Sequence, residues 1–262
     1  MRKKMKILLT NDDGFQSQSY QMLGFELQKH HDVIMISPER DCSGISHAFT
    51  LRDPLFVKKV PQHLNPLDLN NFYSFSGTPV DCVKFSLLNW MKEDAPDVVV
   101  SGINPGANMG CDVMYSGTVA AAMEASVNGT PGIALSHHSL ELTSQRIQEI
   151  IDWFLPKLEL LAEFLKNRNR ILNINYPDRS PSDLKGSKIC TVGKLGYTDH
   201  YLKRTSPHGK EYFWLSGTME IEGEEQSSDK VQVENGYIAI SPLKIDFYDR
   251  DALNELSEIQ WN

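Results

Sequence analysis

Lys6-Ile7-Leu8-Leu9-Thr10-Asn11-Asp12-Asp13-Gly14 is a short apolar run that ends abruptly in two adjacent acids. Such a run, closed by turn residues, predicts a strand covered on both faces, as in a parallel sheet. Neighbouring like charges repel by about 1 kcal/mol in bulk water and about 4 kcal/mol at the effective dielectric near a protein surface. A hard divalent cation such as Mg²⁺ or Mn²⁺ would offset that cost, because it takes carboxylate and amide oxygens. Consecutive strand residues point to opposite faces, so Asp12 and Asp13 converge only if the chain turns there, and Gly14 frees it to turn. The same residues are also ordinary turn formers. Alone, they are compatible with a plain turn and with a metal site.

Outward from this stretch, apolar runs alternate with helical patterns. Strands are predicted at Lys6–Thr10, Asp32–Ser37, Phe72–Ser76, Asp97–Ser101, Gly132–Ser136 and Arg170–Asn175. Helices are predicted at Ser17–Lys29, Thr78–Met91, Thr118–Asn128 and Thr143–Asn167, the last kinked at Pro156. Alternation of this kind gives an α/β fold, a Rossmann-like three-layer α/β/α arrangement around a mostly parallel sheet. After about Lys185 the pattern changes. Tyr212-Phe213-Trp214-Leu215 and Tyr237-Ile238-Ala239-Ile240 read as strands, Ser206-Pro207-His208-Gly209 as a turn, Glu220–Asp229 as an exposed acidic loop and Asp249–Gln260 as a short terminal helix. The expected organisation is a catalytic core over 1–185 and a β-hairpin-rich extension over 186–262, packed partly on the core and mediating oligomerisation.

The 262 residues carry 26 Lys and Arg against 34 Asp and Glu, a formal charge of −8. That balance argues against tracking a nucleic-acid polymer, which needs clustered basic residues to displace counterions. A single nucleotide held by a cation and backbone amides is compatible with it. The basic start, Met1 to Lys6, precedes only Ile7-Leu8-Leu9, too short for a secretion signal. No run approaches the roughly 20 apolar residues of a membrane span. Cys42, Cys82, Cys111 and Cys190 have no zinc spacing and read as reduced thiols. A cytoplasmic protein without membrane association is expected.

In open α/β sheets ligands bind beyond the carboxyl ends of the strands, so the loops there are where chemistry is expected. The loop after Ile36 is long and polar, running from Ser37 through Arg40, Asp41, Cys42 and Ser43 to His47. Ser76 to Asp81 reads as structural, with Thr78 as N-cap, Pro79 at the first helical position and Asp81 facing the positive helix end. The next loop, Ser101-Gly102-Ile103-Asn104-Pro105-Gly106-Ala107-Asn108-Met109-Gly110, continues to Tyr115-Ser116-Gly117-Thr118. Its length and Gly/Asn content favour function over plain connection. It ends at a helix start where Ser116, Gly117 and Thr118 could hold an anion or simply cap the helix.

Several blocks together resemble one family. Thr10-Asn11-Asp12-Asp13-Gly14, Ser37-Pro38 followed by Ser43, Gly77-Thr78-Pro79-Val80-Asp81-Cys82, Val100-Ser101-Gly102-Ile103-Asn104, Asn108-Met109-Gly110 and Tyr115-Ser116-Gly117-Thr118-Val119 are similar to the SurE family of metal-dependent 5′/3′-nucleotidases. Ser206–Trp214 and Gly236–Leu243 resemble its C-terminal part. The resemblance implies one divalent metal ion per subunit, Mg²⁺ or Mn²⁺, on Asp12, Asp13, Ser43 and Asn104. It implies catalysis by Asp12, Asp13 and Asn104, and a phosphate pocket of Asn11, Ser43, Asn108, Ser116, Gly117 and Thr118. It further implies hydrolysis of nucleoside 5′- and 3′-monophosphates, with short polyphosphate as an additional substrate, and a homodimer or homotetramer. Many members have Arg before the liganding Ser; here that residue is Cys42, with Arg40 as a substitute. His47 matches a His of some members and is read as a packed or hydrogen-bonded side chain rather than a catalytic one. A non-catalytic nucleotide sensor using the same pocket is the alternative. A dinucleotide-dependent oxidoreductase is disfavoured, because the first strand-to-helix turn lacks G-x-G-x-x-G and puts acids where pyrophosphate would lie.

Overall fold

Along the first strand, Ile7 and Leu9 face one apolar cluster and Leu8 another, so each face of the sheet is covered. The computed structural model describes residues 4–194, 196, 198–218, 222–246 and 249–261. In chain order its elements are β1 (Lys6–Thr10), α1 (Gln18–Gln28), β2 (Asp32–Pro38), β3 (Val57–Lys59), β4 (Phe72–Phe75), α2 (Pro79–Phe85), β5 (Val98–Pro105), α3 (Gly117–Val127) and β6 (Gly132–His137). There follow α4 (Ser144–Phe154), α5 (Leu158–Leu165), β7 (Arg170–Tyr176), β8 (Ser187–Ile189), β9 (His200–Thr205), β10 (Glu211–Ser216), α6 (Asp229–Glu234), β11 (Ile238–Lys244) and α7 (Arg250–Ser257).

A nine-stranded sheet runs β3-β4-β2-β1-β5-β6-β7-β11-β8, while β9 and β10 form a separate antiparallel hairpin. From β4 to β7 every pairing is parallel; β3 and β11 run antiparallel to β4 and β7 respectively. The expected α/β fold with a mostly parallel sheet is therefore the observed one. Leu23 and Leu27 of α1 and Ile147, Ile150, Ile151 and Phe154 of α4 cover one face. On the other, Cys82 and Val83 of α2 and Ala121 and Ala125 of α3 pack on Leu8, Ile36 and Val99.

Local chemistry sets several boundaries. Thr78 and Asp81 form a reciprocal capping box with Pro79 in the first turn, which starts α2 as predicted. The long helix expected over Thr143–Asn167 is broken at Leu155–Lys157, where Pro156 lacks the N–H that α4 would need to continue. Two expectations are corrected. The loop after Asp97–Ser101 is shorter than anticipated, because β5 runs on to Pro105 and Gly110–Met114 forms a helical turn. Ser228 and Asp229, read as the end of an exposed loop, are buried at the start of α6; residues 220 and 221 of that loop lie outside the described ones.

Residues after 186 contribute β8 and β11 to the main sheet. The hairpin β9–β10 instead shows its apolar side chains to solvent, with Tyr201, Phe213, Trp214 and Leu215 exposed. Among the described residues no helix is long and apolar enough to cross a membrane. The four cysteines are free.

Candidate active site

The chain leaves β1 toward β2 on one side, while β5 lies on the other. Between such diverging connections the carboxyl edge of an open sheet forms a crevice. Asp12 and Asp13 follow β1 at that crevice, and Asn104 stands at the end of β5. A register shift between Gly102 and Asn104 in the β5–β6 pairing sets Asn104 opposite Ser136. Gly14 has φ +92°, a left-handed conformation that lets the acidic turn close, and the next N–H, on Phe15, bonds Pro38 O at 3.1 Å.

Asp12, Ser43, Asn104, Asn108 and Ser116 all line one cleft of about 260 Å³, whose mouth carries Tyr115. A larger cleft, about 460 Å³, lies among Met5, Pro131, Glu159 and Lys166. It contains none of the predicted residues, so size does not select the site.

Asp12 is buried, with 3 % of its surface exposed. The Thr118 hydroxyl donates to its Oδ1 and the Thr118 N–H to its Oδ2 at 3.0 Å. Burial raises the Asp12 carboxyl above its usual range, and the bonds from Thr118 oppose that rise. Gly117 makes this approach feasible: a Cβ there would sit 2.9 Å from Asp12 Cβ and 3.0 Å from Oδ2. Asp13 is partly buried, and its Oδ2 atom is buried with no hydrogen-bond partner. Burial first, then repulsion from Asp12 and Asp41, pushes the Asp13 carboxyl up to about 7.

The remaining predicted residues are held as follows. Asn104 donates Nδ2 to Gly106 O at 2.7 Å, which leaves the amide oxygen to face a cation. Ser43 is exposed and tied by its hydroxyl (2.5 Å) and N–H (2.7 Å) to Asp41 Oδ1. Ser116 caps α3, accepting from Val119 N–H at 3.0 Å. Asn108 donates Nδ2 to Ser136 Oγ at 2.8 Å. Asn11, expected beside the phosphate, is fully buried instead. It donates to Gly14 O at 3.0 Å and accepts from Ser37 Oγ, so the structure gives it the shaping of the turn. Arg40 is exposed and absent from the cleft lining. His47 is exposed and shares a hydrogen bond with Glu124 at 3.0 Å; it is absent from the cleft lining.

Asp41 was not singled out by the sequence reading, although a lone Asp two residues before a Ser is a recognisable Asx turn. Its structural role is to hold Ser43 and to add negative charge beside Asp12 and Asp13.

Asp13 is not itself among the residues lining the cleft, but its buried, partnerless Oδ2, next in sequence to the buried Asp12 that does line it, fits a hard cation. Among the described residues no group of three or more His, Cys, Asp or Glu side chains is arranged to hold a metal. A cation here would therefore draw on a hydroxyl and an amide oxygen beside the paired acids.

Comparison with known proteins agrees with this architecture. A family model described as survival protein SurE matches residues 7–199. A 5′-nucleotidase SurE from Thermoanaerobacter pseudethanolicus is 40% identical over 255 residues, covering 97% of each chain. Another from Mannheimia succiniciproducens is 37% identical over 254 residues, covering 97% of this chain and 98% of its own. The crystal structure of the SurE protein from Aquifex aeolicus matches with a TM-score of 0.80 at 31% identity, over 97% of this chain and 100% of that one. With a family model matching most of its length and relatives up to 40% identical over 97% of it, the chain belongs to the SurE family.

Proposed function

We propose that this protein is a divalent-metal-dependent phosphomonoesterase of the cytoplasm, hydrolysing nucleoside 5′- and 3′-monophosphates to nucleoside and phosphate, with short polyphosphate as a further substrate. Nucleotidase activity is supported by the names of its relatives, 5′-nucleotidase SurE. Metal dependence is supported by one observation above the rest: a buried Asp13 oxygen without a partner, beside a second buried carboxylate in an oxygen-lined cleft.

In this reading Asp12, Asp13, Ser43 and Asn104 hold the ion. When bound, it would supply Lewis-acid polarisation of the phosphoryl group and a water of lowered pKa. Thr118 fixes the Asp12 carboxylate so that it meets its ligand without rearranging. Asp41 locks the Ser43 hydroxyl in place, and Gly106 O orients the Asn104 amide. Asn108 and Ser116, which line the same cleft, receive the phosphoryl oxygens; Gly117 lets the start of α3 approach Asp12 closely. The core over 1–185 carries this site. The extension over 186–262 joins subunits into a homodimer or homotetramer, a reading supported by the exposed aromatic residues of β9–β10.

Phosphate release from a panel of 5′- and 3′-nucleotides and short polyphosphate, with Mn²⁺, with Mg²⁺ and after chelation, tests the proposal. Metal-dependent release supports it. Nucleotide binding with no release under any metal would make the protein a sensor instead.

A further inference from the structure

Asp229 opens α6 and has no exposed surface. Its carboxylate accepts three backbone N–H groups: Gly110 on Oδ2 at 3.2 Å, and Gly193 and Lys230 on Oδ1 at 2.9 Å each. Only the last of these is local. Gly193 belongs to the segment leading to the exposed hairpin, and Gly110 belongs to the loop that lines the catalytic cleft.

That loop is pinned on its other side by β7. Asn108 N–H donates to Asn175 Oδ1 at 2.8 Å, and its carbonyl accepts from Asn173 Nδ2 at 2.7 Å and Asn175 Nδ2 at 3.0 Å. Between the two anchors, Met109 is buried with Cys190, Val233 and Ala239, all from the C-terminal part of the chain. A buried polar group left without its partner costs about 1–3 kcal/mol, so the loop has little freedom to leave either anchor.

We infer that Asp229 is a positioning residue for the reaction, holding the Gly110 end of the cleft loop so that Asn108 faces the phosphoryl group. The inference rests on Asn108 as a phosphate contact. It assigns to the C-terminal extension a part in building the site, in addition to joining subunits.

The carboxylate is essential because it is an acceptor on both oxygens. Asp229→Asn keeps the shape but has one acceptor oxygen. That oxygen will stay with Gly193 and Lys230, where it makes two bonds, and the new NH₂ will face Gly110 N–H. The substitution therefore releases the loop selectively.

The test compares the full-length parent with Asp229→Asn, both shown to be folded by circular dichroism. Inorganic phosphate inhibition and kcat on a nucleoside monophosphate should each weaken about tenfold or more, while Mn²⁺ affinity by calorimetry stays the same, since the metal residues are untouched. A lowered Tm with unchanged phosphate inhibition and kcat would reveal a merely structural aspartate and overturn the inference. Hydrogen exchange at the Gly110 amide of the parent gives an independent answer if the variant does not fold. Exchange as slow as in the core strands supports the tether; rapid exchange removes it. A parent that releases no phosphate overturns the proposed function and this inference together, whereas an active parent matched by the variant overturns this inference alone.

Discussion

Thr118 gives both its donors to Asp12, the hydroxyl to Oδ1 and the backbone N–H to Oδ2 at 3.0 Å, so the first turn of α3 grips the acid that follows β1. Hydrogen bonds to a charged group contribute about 1.5–3 kcal/mol each. Thr118→Val removes only the hydroxyl bond and keeps the volume. It should lower kcat by about tenfold to a hundredfold at saturating metal, and Thr118→Ser should recover most of the loss. Steady-state kinetics of the two variants decide it; a Val variant as fast as the parent would show the grip to be dispensable.

Asp13→Asn removes the carboxylate whose Oδ2 has no partner. Turnover should fall by more than about a hundredfold, since even residues that only support a metal ligand cost 10–100-fold when lost. In metal-free buffer the variant should melt a few degrees higher, because the cost of burying that carboxylate, and then its repulsion from Asp12 and Asp41, are gone. The rise in Tm that Mn²⁺ gives the parent should disappear. An undiminished Mn²⁺ shift in a differential scanning experiment would take Asp13 out of the ion site.

Gly117→Ala places a methyl group 2.9 Å from Asp12 Cβ, closer than real contacts allow. Asp12 or α3 must then move by several tenths of an ångström. Misplacement on this scale is expected to reduce kcat by about tenfold to a hundredfold with a smaller effect on stability. A crystal structure of the variant should show the Asp12 side chain displaced, and full activity would refute the close-approach requirement.

Glu124 offers a pH test of the scaffold. Burial works against its ionisation, but bonds from His47, Lys84 and Asn128 outweigh it and hold the carboxyl at about 2. Because the folded value lies below the ordinary 4.5, this network stabilises the fold above about pH 4.5 and ceases to do so as pH falls towards 2. Glu124→Gln should cost about 1–3 kcal/mol at pH 7 and much less at pH 3. Denaturant titrations at the two pH values would contradict this if the loss were equal.

The hairpin predicts an assembly phenotype. Phe213 and Trp214 are 57 % and 64 % exposed, a large apolar area for a strand in solvent. Replacing both with Ser should shift the sedimenting species towards a single subunit at micromolar concentration. A parent that already sediments as one subunit would leave the hairpin without this role.

Much of the architecture was legible in short-range patterns. The strands from β1 to β7 that are buried on both faces announce themselves as apolar runs, and Thr78, Asp81 and Pro156 mark helix starts and breaks by their own chemistry. The strands β3 and β8 were missed because Val57-Lys58-Lys59 and Ser187-Lys188-Ile189 are exposed three-residue edges with no apolar pattern. Position at the carboxyl edge of the sheet pointed to the loops that carry Asp12, Ser43, Asn104, Asn108 and Ser116, and the family resemblance singled out these residues within them; the structure brings them to one cleft. What their neighbours do could not. The turn-building role of Asn11, the hold of Asp41 on Ser43 and the burial of Asp229 arise from contacts between segments distant in sequence. Composition pointed the wrong way for Asp229, because acidic surroundings suggest solvent while its three N–H partners come from the folded chain.

The antiparallel partner of β7 is β11, near the end of the chain. On the ribosome, β7 therefore emerges as an open edge and waits for Ile238–Lys244 to be synthesised. Until then its unpaired amides can recruit a chaperone or a wrong strand. The sheet is complete only once β11 has been made, so a chain cut short before Ile238 would be a sticky, inactive fragment rather than a smaller enzyme.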